Sequence, residues 1–300
     1  MRVADMWSSV FARRTSGALT KAVLAIALPF GAQAATKPCN KPLADAIPKR
    51  TFSAPSGSEL MQSLMNTGGA QRDAAVADHV LSGNIPSFLR DLAPVTIEGR
   101  KATGEEVKVT ICVTPEYLSV GHDRDFVRVP MGLPAAVRIA EELGFLLPTT
   151  KMVDAIYSQA KVRLAPSPMK PTSQMESTAY LVQHDATVDK QSEAHAPGIG
   201  QLTAGQKKDL VLSNRLRAKP GRVAIYGWHR TNGKPIQPLS TVHGARYADY
   251  SHGVRLVSQT AFVDGKPVSL KDIIQDRNLA SVVSSEGPIR DLNGLVKSLY

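Results

Sequence analysis

Three of the chain's seven histidines, His229, His243 and His252, fall between Arg222 and Val257, in RVAIYGWHRTNGKPIQPLSTVHGARYADYSHGVRLV. Asp249 lies between two of them, and Tyr226, Trp228, Tyr247, Tyr250 and Ser251 share the segment. Three chemistries fit these residue types. In the first, His243, Asp249 and His252 hold zinc, with His229 as fourth ligand or general base. Two imidazoles and a carboxylate leave a position open for a water whose pKa the metal lowers. In the second, Ser251 is a nucleophile activated by His243 or His229 and oriented through Asp249; the serine lacks the G-x-S-x-G turn context. In the third, Tyr247 or Tyr250 works with a histidine as acid and base on a polysaccharide, while Arg246 or Arg255 grips a uronate carboxylate. Against all three stands a loop whose rings and hydroxyls simply satisfy one another.

The flanking segments must position this loop. Val223, Ile225 and Gly227 alternate with Ala224, Tyr226 and Trp228, which predicts a strand ending at His229. Pro235–Leu239 is expected to be extended and irregular, because its two prolines remove backbone donors. His243-Gly244 and His252-Gly253 each put a glycine beside a histidine, which suits close approach of the backbone to a ligand. Val254–Val257 returns to a sheet. Asn214 and Arg215 follow a strand expected at Leu210–Ser213 and are assigned with Trp228, Arg246 and Tyr247 to substrate binding.

Upstream, the pattern predicts helices over Ser58–Met65 and Ala70–Leu81, then a hairpin of Pro94–Glu98 with Glu106–Thr114. A strand at Phe126–Val129 follows a turn, Gly121–Asp125, expected to be solvated. Helices are expected over Pro134–Leu143, from Thr149 or Thr150 to Ala160, and through Glu176–Ala194. Thr203-Ala204-Gly205-Gln206 fits a capping box at a short helical turn. A hairpin through Asp264-Gly265 precedes a helix capped by Ser269. His79, His184 and His195 are read as packing or surface residues. The pattern as a whole predicts an α+β fold: a mainly antiparallel sheet with helices packed on one face, in a single domain over 58–300 preceded by a proline-rich extended arm over 35–57.

Residues 1–34 read as a signal peptide: Arg13, Arg14 and Lys21, then the short apolar run Ala22–Phe30, then Ala32-Gln33-Ala34. The arginine pair hints at twin-arginine export. The run is too short to span a bilayer, so no transmembrane segment is expected after cleavage, and the protein is placed in the periplasm or outside the cell. The segment holds four basic residues (Arg2, Arg13, Arg14, Lys21) and one acid (Asp5), so its removal takes the formal charge from +10 to +7. Such a charge favours an anionic envelope or extracellular polymer as partner. Aromatics at 5% and the absence of a dense basic run argue against nucleic acid. The two cysteines, Cys39 and Cys112, have a single intramolecular pairing open to them in an oxidising compartment.

The runs VAIYGWH, GKPIQPLS and YADYSHGVRLV, with GFLLPTTKMVDAIY and KKDLVLSNRL, resemble a family of exported bacterial proteins that implies export but no particular activity. Ser240-x-x-His243-Gly244 with Asp249 is also similar to zinc peptidases that cut peptidoglycan cross-links. In those, S-x-H-x-x-G-x-A-x-D is followed by W-H or H-x-H, whereas here Trp228-His229 comes before. The expectation is an exported hydrolase acting on an envelope or extracellular polymer, zinc-dependent under the first chemistry. Its catalytic residues would be His229, His243, Asp249, Tyr250, Ser251 and His252. The alternatives are a glycan-binding protein without activity and a metal-independent lyase.

Overall fold

The computed structural model describes residues 38–39, 41–195 and 200–297, which belong to one compact unit, Thr36–Tyr300. Residues 1–34, the segment expected to be a signal peptide, therefore lie outside the described residues. The fold is α+β, and antiparallel pairing dominates its sheets.

The larger sheet is organised around Glu106–Val113. Val107, Val109 and Ile111 are buried, as the alternation predicts, and Cys112 and Val113 are buried as well, because the strand is covered on both faces at this end only. It pairs along its whole length with Ala93–Arg100, and on its other side with Val257 and with Phe262–Val263. Phe145–Leu146 and Lys266–Ser269 complete the sheet. Cys39 is joined to Cys112, so the N-terminal arm is stapled to this central strand.

The second sheet has the order Pro235–Ser240, Ile225–His229, Lys208–Leu210, His252–Gly253, and its last pair is parallel. Pro235–Ser240 is thus a paired strand, not the irregular segment expected. It lies at the edge of the sheet, with Gln237 opposite Gly227 between the two prolines and a register shift before Ser240, so the missing donors face no partner strand. Thr203–Ala204 is likewise a short strand, parallel to Val162–Arg163, instead of a capped helical turn. The strand expected at Leu210–Ser213 is centred earlier, at Lys208–Leu210.

Thr150–Gln159 connects the two sheets. It begins where the Thr149 hydroxyl accepts the Met152 amide, and it buries Met152, Val153, Ile156 and Tyr157. One end of this helix reaches the Ala93–Arg100 strand, where Gln159 bonds Thr96, and its flank lies against Ile225–His229. The Gly121–Asp125 turn is not simply solvated: Asp123 accepts the Ser87 amide at 2.6 Å and Asp125 accepts the Ser58 amide at 2.8 Å, so both carboxylates anchor neighbouring segments.

The interior also holds a cluster of buried charge. Arg128 approaches Glu116 at 3.3 Å, Asp185 at 3.0 Å and Asp189 at 2.8 Å. Lys207, fully buried, donates to His184 Nδ1 at 3.0 Å and to the Tyr250 carbonyl at 2.7 Å. Burial pushes the Lys207 ammonium down to about 8 and the Asp185 carboxyl up to about 6.

Candidate functional site

The strand pairing separates the histidines into two groups. His252 lies opposite Lys208 in the parallel pair. Asp249 supplies the turn that delivers it: its backbone carbonyl accepts the His252 amide, and its Oδ1 accepts both the amide and the hydroxyl of Ser251. His243 is held by the chain running back beside Gly221–Val223, where its carbonyl accepts the Val223 amide. Its ring stacks on Tyr247 with centroids 4.2 Å apart and planes 10° apart, and stands 6.3 Å from the ring of His252. Tyr247 is 5.7 Å from His252 by centroids, and its hydroxyl donates to Asp249 Oδ2 at 3.3 Å. The Lys208 ammonium is 3.9 Å from the same oxygen.

His243 and Tyr247 are half-buried, whereas Asp249 and His252 lie beneath them at 2% and 0% exposure. Neither ring nitrogen of His252 has a hydrogen-bond partner. Burial pushes this imidazole down to about 4; Asp249 opposes that, and Lys208, His243 and Lys207 add to it. His252 is therefore neutral at pH 7. Burial raises the Asp249 carboxyl, but His252, Lys208 and the Ser251 bonds outweigh it and hold the group below its ordinary value. Burial, then Asp249, raise the Tyr247 phenol, so it stays protonated. A fixed carboxylate, a protonated phenol, a neutral imidazole with free nitrogens and a half-open histidine are thus brought together. Such a set can accept a proton at one point and deliver one at another.

His229 stands apart. Its Nε2 lies 2.9 Å from Asp154 Oδ1, its ring stacks 4.5 Å from Tyr157, and Tyr226 donates to the same carboxylate at 2.9 Å. None of these contacts is shared with His243, Asp249 or His252. Asp154 and Tyr157 come from the Thr150–Gln159 helix, whose apolar spacing marked it for packing alone. Buried Asp209 is nearby and bonds Tyr117 at 2.8 Å; burial, partly offset by Arg255 and the tyrosine bond, pushes its carboxyl up to about 6.

The remaining assigned residues serve the fold. Ser251 gives its hydroxyl to Asp249 and has no bond to an imidazole, so it lacks the base that the nucleophile chemistry needs. Tyr250 is buried and its hydroxyl is engaged by both backbone groups of Met169. Trp228 is buried with φ +56, a left-handed conformation rare for a bulky residue, and the Lys208 ammonium sits 5.0 Å from its ring. Asn214 bonds Glu286 and Pro288, and Arg215 bonds the Leu239 carbonyl. Arg255, wholly buried, donates to the carbonyls of Thr114 and Thr203 and cannot reach a substrate. Arg246 is exposed and borders a small separate cavity with Asp73 and Arg138.

Zinc does not fit. Among the described residues no group of three or more His, Cys, Asp or Glu is placed to hold a metal ion. His252 has free nitrogens, but Asp249 turns one oxygen to Ser251 and the other to Tyr247 and Lys208. The expected His243–Asp249–His252 set is therefore not a metal centre in this arrangement. The glycine of the second His-Gly pair also has another task. A Cβ on Gly253 would meet the Tyr117 ring at 2.6 Å and Lys207 Cβ at 2.8 Å, so the close approach there is to protein, not ligand. Among the described residues no helix is long and apolar enough to cross a membrane. No family model, curated protein or solved structure matches this chain.

Proposed function

We propose that the protein is an exported hydrolase acting on an anionic cell-envelope or extracellular polymer, with its acid–base groups in the His243–Tyr247–Asp249–His252 cluster. The observation that carries the reading is His252, a fully buried imidazole with two unpartnered nitrogens under a half-open His243–Tyr247 stack. An unsatisfied buried polar group costs about 1–3 kcal/mol, and His252 leaves both of its ring nitrogens without a partner among the described residues, where buried His184 leaves one. His243 takes a proton from water as its oxygen bonds to the scissile centre, the Tyr247 hydroxyl protonates the leaving oxygen as that bond breaks, and the proton then passes from His243 back to Tyr247, which stacks on it. Asp249 orients the phenol, and neutral His252 lies behind the pair as a hydrogen-bonding group. Lys208 and the net positive charge draw the polymer in.

A second reading is a polysaccharide lyase, favoured by the face-to-face contact of His243 with Tyr247. Product analysis separates the two. Purified protein is incubated with peptidoglycan sacculi and, separately, with a polyuronate. Water-added fragments support the hydrolase, ultraviolet-absorbing unsaturated ends support the lyase, and no product from either polymer overturns both.

A further inference from the structure

A cavity of about 660 Å³ shares no lining residue with the imidazole cluster. Its size is that of a small-molecule site. Most of its wall is apolar: Phe88 and Phe126 meet edge to face at 5.2 Å, and Val162 adds to the same lining. The polar groups have one dominant sign, five carboxylates against two guanidinium groups, in a chain whose formal charge is +10.

Those charges are not free to cancel. Arg128 at the floor is 3% exposed; its guanidinium is already taken by Glu116, Asp185 and Asp189, and its Cζ lies 5.1 Å from the Phe126 ring centroid. Its Nε has no hydrogen-bond partner among the described residues, but it is buried beside Glu116, so an anion reaching it would meet carboxylates first. Asp123 and Asp125 accept the amides of Ser87 and Ser58, and neither is in an ion pair among the described residues. Glu193 is exposed at the rim and has no ion-pair partner among the described residues. Arg124 is the one other cation among the described lining residues. An anionic ligand would meet net negative charge here, and a neutral one would leave it uncompensated.

We propose that this cavity binds a small organic cation, an ammonium group carried on an apolar body, with the body against Phe88 and Phe126 and the charge toward Asp189 and Glu193. The test is calorimetric titration of the full protein at pH 7 with phenethylammonium, its neutral counterpart 2-phenylethanol and the anion 3-phenylpropionate. The expected result is saturable binding of the ammonium, binding of the alcohol at least tenfold weaker, and none of the anion. Glu193→Gln, which removes no ion pair, should weaken the ammonium several-fold with an unchanged melting temperature; Asp189→Asn should weaken it further. Equal affinity for alcohol and ammonium, tighter binding of the anion, or no heat with any of the three would overturn the proposal. So would ammonium binding that neither variant alters.

Discussion

Acidification should unfold this protein in part through His252. The imidazole is fully buried, has no hydrogen-bond partner, and stays neutral until about pH 4, against an ordinary value of 6.5. Its folded pKa is depressed, so its contribution is fully present above 6.5 and is lost as pH falls toward 4. A shift of that size corresponds to about 3 kcal/mol across the window. His252→Leu removes the titrating group while keeping comparable volume. The assay is urea unfolding followed by circular dichroism at a series of pH values from 7.5 to about 4. Wild type should lose about 3 kcal/mol more than the variant from His252 itself over that interval; His184, Asp185 and Asp209 titrate in both and cancel, whereas Asp249, which His252 helps to hold down, does not. Parallel stability curves for the two proteins would refute the burial of a neutral, unpaired imidazole.

Other perturbations have defined outcomes. Arg128→Leu leaves Glu116 and Asp185 buried without their cation and should cost about 3–5 kcal/mol, read as a fall in melting temperature. Gly253→Ala forces a Cβ into Tyr117 and Lys207 and should cost about 1–3 kcal/mol in denaturant unfolding. Reducing Cys39–Cys112, or replacing both by serine, reopens a loop with a sequence separation of 73 and should cost about 4 kcal/mol; an unchanged midpoint under reductant would count against the staple.

Much of the scaffold was legible because it rests on strong local signals. Val107, Val109 and Ile111 alternate cleanly, the Thr149 and Ser269 caps precede periodic runs, and the two cysteines leave a single pairing. The second sheet was less readable. Strands of two and three residues, such as His252–Gly253 and Lys208–Leu210, carry no measurable period, and their pairing is set by distant chain. Two buried cations, Lys207 and Arg255, also run against the expectation that charge faces water. They belong to a polar layer whose partners, His184, Thr114 and Thr203, are remote in sequence.

The candidate site was half legible. Residue types pointed to the segment that holds the proposed cluster, but sequence order placed His229 with its neighbours, whereas the sheet gives it to Asp154 and Tyr157 on a helix read only as packing. Asp249 and Ser251 look like members of a catalytic set in sequence; in the fold they close a turn with each other, and Asp249 alone also reaches Tyr247.

The most direct test of this account is the release of soluble fragments from isolated bacterial cell envelopes by the wild type and by His243→Ala, His252→Leu and His229→Ala, each confirmed folded by circular dichroism. Acid–base work at the His243–Tyr247–Asp249–His252 cluster requires His243→Ala and His252→Leu to lose activity by about a hundredfold or more, with His229→Ala close to wild type. Activity that survives His243→Ala and disappears in His229→Ala would place the chemistry at Asp154 instead and contradict the assignment.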